Sequence, residues 1–188
     1  TELFSGDHPL LTQAFHPMTV RFFILQSHYR STLDFSNEAL QASEKAFKRL
    51  WEAFEVLKKL PIDGLPQTSN TEKDVQVNKW IDEFEEFLDD DFSSPKVIAN
   101  MFEIAPLINS MKDGLLPDDT FCSATIKRMQ EKFGLYLEDI FGLHSISGTD
   151  DAILQSVMQL LLNLRNEAKT KKDFATSDHI RKQLTALG

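Results

Sequence analysis

A chain of 188 residues, 41% hydrophobic and 26% charged, can build one sizeable core or one bundle with an appendage. Its formal net charge of −9 argues against a general nucleic-acid coat, and its single cysteine excludes an internal disulfide framework or a cysteine zinc cluster. The longest apolar run, 157–162, is broken by Gln159 and too short to span a bilayer, and the first residues form no charged-then-apolar leader; a soluble cytoplasmic protein with no membrane partner is expected.

Helical periodicity recurs along the chain. Residues 1–11 read as half-helical, and a helix starts near Pro17 and runs into an extended turn. Phe22, Phe23, Ile24 and Leu25 make that helix apolar on nearly every side, so it should be buried on more than one face. After Ser36 as N-cap, Leu40, Phe47, Leu50, Phe54 and Leu57 follow three/four spacing. The loop 61–70, PIDGLPQTSN, reads as a hairpin connection between antiparallel helices. Thr71 then precedes Val77, Trp80, Ile81, Phe84, Phe87 and Leu88, with Asp74 placed to close a capping box.

Ser94-Pro95 opens the next helix, with Ile98, Met101, Ala105, Ile108 and Met111 in one stripe and Gly114 as its stop. A further helix is expected from Pro117 to about Asp139, carrying Phe121, Met129, Phe133, Leu137 and Ile140. Residues 142–149 read as a second hairpin connection. Ile153, Val157, Leu160, Leu161, Leu164 and Ala168 mark another helix, and 174–187 a last short one. No Val/Ile/Thr-rich alternation of useful length appears, so the fold class is all-α: an antiparallel helical bundle preceded by a short helical segment.

No catalytic arrangement emerges. Asp89, Asp90 and Asp91 are consecutive, so on a helix they point roughly 100° apart and read as a solvated helix end. The five histidines never fall at metal-ligand spacing, Cys122 reads as a buried inert thiol, and no glycine-rich phosphate loop occurs. The tail differs in kind. Residues 165–182 hold six Lys/Arg against three Asp/Glu, about +3 in an acidic chain. Asp173 can cap the last helix, Phe174 sits in its first turn, and Asp178 lies one turn further on. Two readings stay open: a capped, solvated helix with Phe174 in the core, or a site offering cations to phosphates, a ring to bases and a carboxylate to base N–H groups.

Three stretches carry a resemblance. MTVRFFILQSHYRSTLDFS, residues 18–36, closely resembles the R-Y/F-F-L-x-S-x-H-Y-R-S-x-L-x-F-S segment of bacterial cysteinyl-tRNA synthetases. FLDDDFSSPKVIANMFEIAPLIN, 87–109, is similar to that family's M-x-D-D-F-N-T-P stretch, and AKTKKDFATSDHIRKQLTALG, 168–188, to its A-R-x-x-K-D-F/W-A-x-A-D-x-I-R-D-x-L tail.

The resemblance implies a class I enzyme that joins cysteine to its tRNA with ATP and magnesium and holds a zinc ion in its cysteine pocket. The catalytic domain, with its nucleotide-binding signatures, would lie outside this chain, so the present region would be noncatalytic, with no catalytic residue, cofactor or metal of its own. Residues 1–35 would end the stem-contact segment, and 36–188 would form the anticodon-binding bundle, cut before a short β-rich piece. The implied partners are the anticodon stem-loop of cysteine tRNA and the catalytic domain. The tail motif implies anticodon contacts at Lys169, Phe174 and Asp178, with Lys172 and Arg181 beside them. Lys169 stands where the family usually has Arg, and an ammonium is a point charge where a guanidinium reads a base edge bidentately. Arg21, His28, Tyr29 and Arg30 match the upstream motif, for tRNA or interdomain contact. Two other readings are a helical protein-interaction bundle derived from the same family without RNA binding, and the tail of a ligase joining cysteine to an amino-sugar.

Overall fold

The computed structural model describes residues 2–69, 71–146, 150–171 and 173–187, and among these every regular element is helical. In chain order the helices are α1 (Glu2–Ser5), α2 (Pro17–Leu25), α3 (Asn37–Lys59), α4 (Glu72–Asp89), α5 (Ser94–Lys112), α6 (Ser123–Gly134, continued by a π-helical turn Leu135–Ile140), α7 (Asp150–Thr170) and α8 (Phe174–Leu187). They fall into two compact units, Thr1–Ser145 and Ile146–Gly188.

Local signals set most helix starts. His16 caps α2, its side chain accepting from the Met18 N–H at 3.1 Å, and Pro17 follows where no intrahelical N–H is needed. Ser36 caps α3 by accepting from Ala39 N–H at 3.3 Å. Thr71 caps α4 by accepting from Asp74 N–H at 3.1 Å. The expected reciprocal half of that capping box is replaced. The buried Asp74 carboxylate instead accepts from Cys122 N–H at 3.2 Å and from Asn78 Nδ2 at 3.3 Å.

The same contacts move the start of α6. Residues 117–122 are a turn, not the helix expected there, because their backbone groups bond outward. Thr120 C=O accepts from Thr71 Oγ1 at 2.6 Å and Ser69 Oγ at 3.1 Å, and Ser123 N–H reaches Pro66 C=O at 3.0 Å. Nor does the 60–71 connection lay α4 back on α3: α3 packs mainly on α2, α5 and α6, and α4 on α5 and α6.

Aromatic rings run through the core of the first unit. Phe22 meets Phe47 (5.2 Å between centroids), Phe47 meets Trp51, Trp51 meets Phe54, and Phe54 and Phe84 both meet Phe133. Phe84 and Phe141 then flank Tyr136. Each fully buried ring contributes about 1.5–3 kcal/mol. The 1–35 segment joins this unit: α2 packs on α3, and Phe15 and Val20 share a buried cluster with Leu40. The apolar α2 is covered on more than one side, by Phe47 and Phe102 around Phe22 and by Phe35 against Phe23, but Ile24 is exposed.

The π-helical turn resets the buried face after Phe133. Phe141 N–H bonds Tyr136 C=O, five residues back, so Phe141 takes the buried position that uninterrupted periodicity assigned to Ile140, which is exposed. Gly142 then turns left-handed (φ 59°), and Leu143 N–H closes on Leu137 C=O. In the second unit α7 and α8 pack on one another; Ile153 and Val157 have side chains outside the described residues, as does part of the 142–149 connection.

Candidate nucleic-acid interface

The α7–α8 junction is fixed by backbone bonds and one carboxylate. Lys171 N–H extends α7 to Glu167 C=O, and Asp173 N–H returns to Ala168 C=O at 2.8 Å. Asp173 then caps α8, its Oδ1 accepting from Thr176 N–H at 3.1 Å, and its C=O accepting from Ser177 N–H. The hydrogen bond from Thr176 favours the ionised form and holds this carboxyl below its ordinary 3.8. Among the described residues of the junction, Ala168 and Ser177 are buried.

The capped turn leaves the candidate side chains outward. Phe174 is 62% exposed and is not core. Asp178 and Arg181 follow it at i+4 and i+7, on one face of α8, and pair with each other at 3.2 Å. Lys169 is exposed in the last turn of α7 and, among the described residues, has no carboxylate in ion-pair range. Lys171 pairs with Glu167 at 3.8 Å, and Lys172 lies outside the described residues. The described junction thus presents a ring, an unpaired cation and a carboxylate–guanidinium pair.

The upstream candidates are engaged differently. Arg21 Nη1 donates to Phe141 C=O and Gly142 C=O, each at 3.3 Å, a cation closing the end of the α6 helical run. His28, Tyr29 and Arg30 converge on Asp91, 61 to 63 positions away. Tyr29 OH donates to Asp91 Oδ1 at 2.6 Å, and Arg30 Nη2 reaches the same oxygen at 3.1 Å. His28 Nε2 lies 3.5 Å from Asp91 Oδ2, with its ring stacked on Tyr29. Arg30 Nε also donates to Tyr29 OH at 2.9 Å; that bond, then Asp91, raises the guanidinium pKa further. Asp91, one acid of a run that reads as a solvated helix end, is the carboxylate around which these three side chains gather. Its backbone and that of Phe92 are left-handed (φ 61° and 53°), which turns Asp91 out of the helical path of Asp89. Among the described residues no group of three or more His, Cys, Asp or Glu side chains converges as a metal site. No helix among them is long and apolar enough to cross a membrane.

Residues 83–145 match the DALR domain model, a span from the middle of α4 through the π-helical turn that ends before α7. Over its whole length the chain is 46% identical to the cysteine–tRNA ligases of Parabacteroides distasonis and Bacteroides thetaiotaomicron. It is also 36% identical, over 93% of its length, to that of Chlorobaculum tepidum. It spans 37% of the length of the first two relatives and 35% of the third. Motifs and identities over the full length agree: the chain belongs to the cysteine–tRNA ligase family.

Proposed function

We propose that this chain is the tRNA-binding region of a cysteine–tRNA ligase and that it holds the anticodon stem-loop of cysteine tRNA on the α7–α8 junction. The observation carrying the proposal is Phe174: a large apolar ring, 62% exposed, at the first turn of a helix that Asp173 already caps. Burial is the default for phenylalanine, and an exposed ring beside cations is the arrangement on which unpaired bases stack. Lys169 and Lys172 supply charge to the backbone, while Asp178, oriented by Arg181, accepts from base N–H groups.

In this reading the region is noncatalytic and works in the cytoplasm. ATP, magnesium and zinc serve a catalytic domain of the same full-length protein. The stem-contact role of residues 1–35 belongs to the same proposal, with Arg21 acting as an internal tie. A second reading, a protein-interaction bundle, draws on Leu160 and Leu164, which are exposed one turn apart on α7.

Titration of the chain, and of a full-length relative, with a labelled cysteine-tRNA anticodon stem-loop at two salt concentrations separates the readings. Lys169→Ala with Lys172→Ala should weaken binding about three- to tenfold and reduce the salt slope by roughly one to two. Asp178→Asn should narrow the preference over an anticodon-swapped RNA with a smaller loss of overall affinity. Salt-independent binding, or variants without effect in the full-length protein, would leave the protein-interaction reading.

A further inference from the structure

His28, Tyr29, Arg30 and Asp91 form a closed set of hydrogen bonds with one edge left over. Arg30 Nε donates to Tyr29 OH at 2.9 Å and Nη2 to Asp91 Oδ1 at 3.1 Å, and Tyr29 OH donates to the same oxygen at 2.6 Å. His28 Nδ1 accepts from the Arg30 backbone N–H at 3.3 Å, which leaves the ring proton on Nε2, 3.5 Å from Asp91 Oδ2. Among the described residues Arg30 Nη1 has no hydrogen-bond partner. The Arg30 side chain is 69% exposed although two of its three nitrogens are held.

These bonds pin a stretch with no regular structure of its own, residues 26–36 between α2 and α3, to the turn between α4 and α5. Asp91 reaches them from a left-handed backbone, φ 61°, which a residue with a Cβ keeps only where its surroundings hold it. Here Phe92 N–H bonds Leu88 C=O at 3.0 Å and Ser93 N–H bonds Phe87 C=O at 2.8 Å. An arginine normally loses rotamer freedom when it binds an anion; Arg30 has lost it already and still faces solvent. Its planar fork matches the oxygens of a phosphate. The Tyr29 ring, 5.3 Å from the guanidinium carbon and stacked on His28, stands beside that fork and is 62% exposed.

We propose that Arg30 contacts a backbone phosphate of tRNA outside the anticodon stem-loop through its free Nη1 edge, and that Asp91 is the positioning residue that aims it. This rests on the tRNA-binding reading above, in which residues 1–35 have the stem-contact role. Asp91 carries the same sign of charge as the phosphate, so its two effects oppose each other. By electrostatics alone, removing the acid strengthens RNA binding; if the acid aims Arg30, removing it weakens binding.

The test is a fluorescence-anisotropy titration of the full 188-residue chain with labelled whole cysteine tRNA and, in parallel, with its anticodon stem-loop, at two salt concentrations. Circular dichroism melts check each variant's fold. Arg30→Ala should weaken binding of whole tRNA about three- to tenfold and lower the salt slope by about one, with the stem-loop unaffected. Asp91→Ala should also weaken whole tRNA, about two- to fivefold, and add nothing on an Arg30→Ala background. Asp91→Asn keeps an acceptor oxygen for Tyr29 and Arg30 and should retain wild-type affinity or exceed it. A silent Arg30→Ala overturns the proposal. So does a folded Asp91→Ala protein that binds whole tRNA as tightly as wild type, or a loss from Asp91→Ala that persists without Arg30 or is shared by Asp91→Asn. Should Asp91→Ala fail to fold, Tyr29→Phe takes its place: it removes only the hydroxyl between Arg30 and Asp91, and undiminished tRNA affinity would refute the aiming role. Lys169→Ala with Lys172→Ala, read on the stem-loop, reports on the parent reading. No loss there sinks the junction, whereas a loss there beside a silent Arg30→Ala sinks the present proposal alone.

Discussion

Asp173 shows how a single carboxylate couples protonation to the candidate site. Its pKa is lowered in the folded chain by hydrogen bonding from Thr176, the side chain first and the backbone N–H second, so the ionised side chain stabilises the start of α8. That contribution is complete above the unfolded pKa and is lost as pH falls through the lower, folded value. In an acid titration followed by NMR, the Thr176 amide should therefore shift with a midpoint below 3.8, and Asp173→Asn should remove the transition; a midpoint at or above 3.8 would contradict the cap. Asp173 was legible as a cap because the signal lies within three residues. Asp91 was not, because its partners stand 61 to 63 positions upstream and nothing within an acidic run distinguishes the carboxylate that meets them. Phe174 was legible as a residue type but not in its environment, since sequence left core and surface both open and its exposure decides between them.

At the scale of elements, the α6 helical run ends by a device that no composition announces. The caps Ser36 and Thr71, and Pro95 in the first turn of α5, were readable because such signals act within one turn. The start of α6 escaped periodicity because backbone groups of residues 120–123 bond to residues 66–74, a tertiary choice over a local one. The π-helical turn escaped it because one added residue per turn leaves the apolar content unchanged while rotating the stripe. The run closes on Gly142, whose positive φ and contact with Arg21 leave no room for a Cβ. Gly142→Ala should cost about 1–3 kcal/mol in chemical denaturation, with a smaller penalty on an Arg21→Ala background, where the displaced guanidinium is gone. Equal penalties on both backgrounds would detach the glycine from the arginine. Deleting the exposed Ile140 should cost less than this in the same denaturation, since a regular α-helix one residue shorter brings Phe141 to the buried position it now fills.

The whole molecule combines an acidic, ring-filled unit with a small, slightly basic hairpin of helices, and the all-helical class was legible throughout because apolar spacing of three and four persists wherever the chain is regular. The division at 145/146 was less so: sequence placed its functional boundary at 35/36, while α2, through Phe22 and Val20, packs into the first unit. The proposed anticodon contacts of the tail follow that division, all of them lying in the second unit. The ring inventory follows it as well. Trp51, Trp80, Tyr29 and Tyr136, the two tryptophans and two tyrosines of the chain, all lie in the first unit, and the second carries Phe174 as its one aromatic residue. The protein is therefore optically labelled on one side. Intrinsic fluorescence excited at the tryptophan band reports the first unit, whereas far-ultraviolet ellipticity sums the helices of both. Urea titrations followed by the two signals should coincide if the units unfold together and separate if they do not, without any dye or engineered probe.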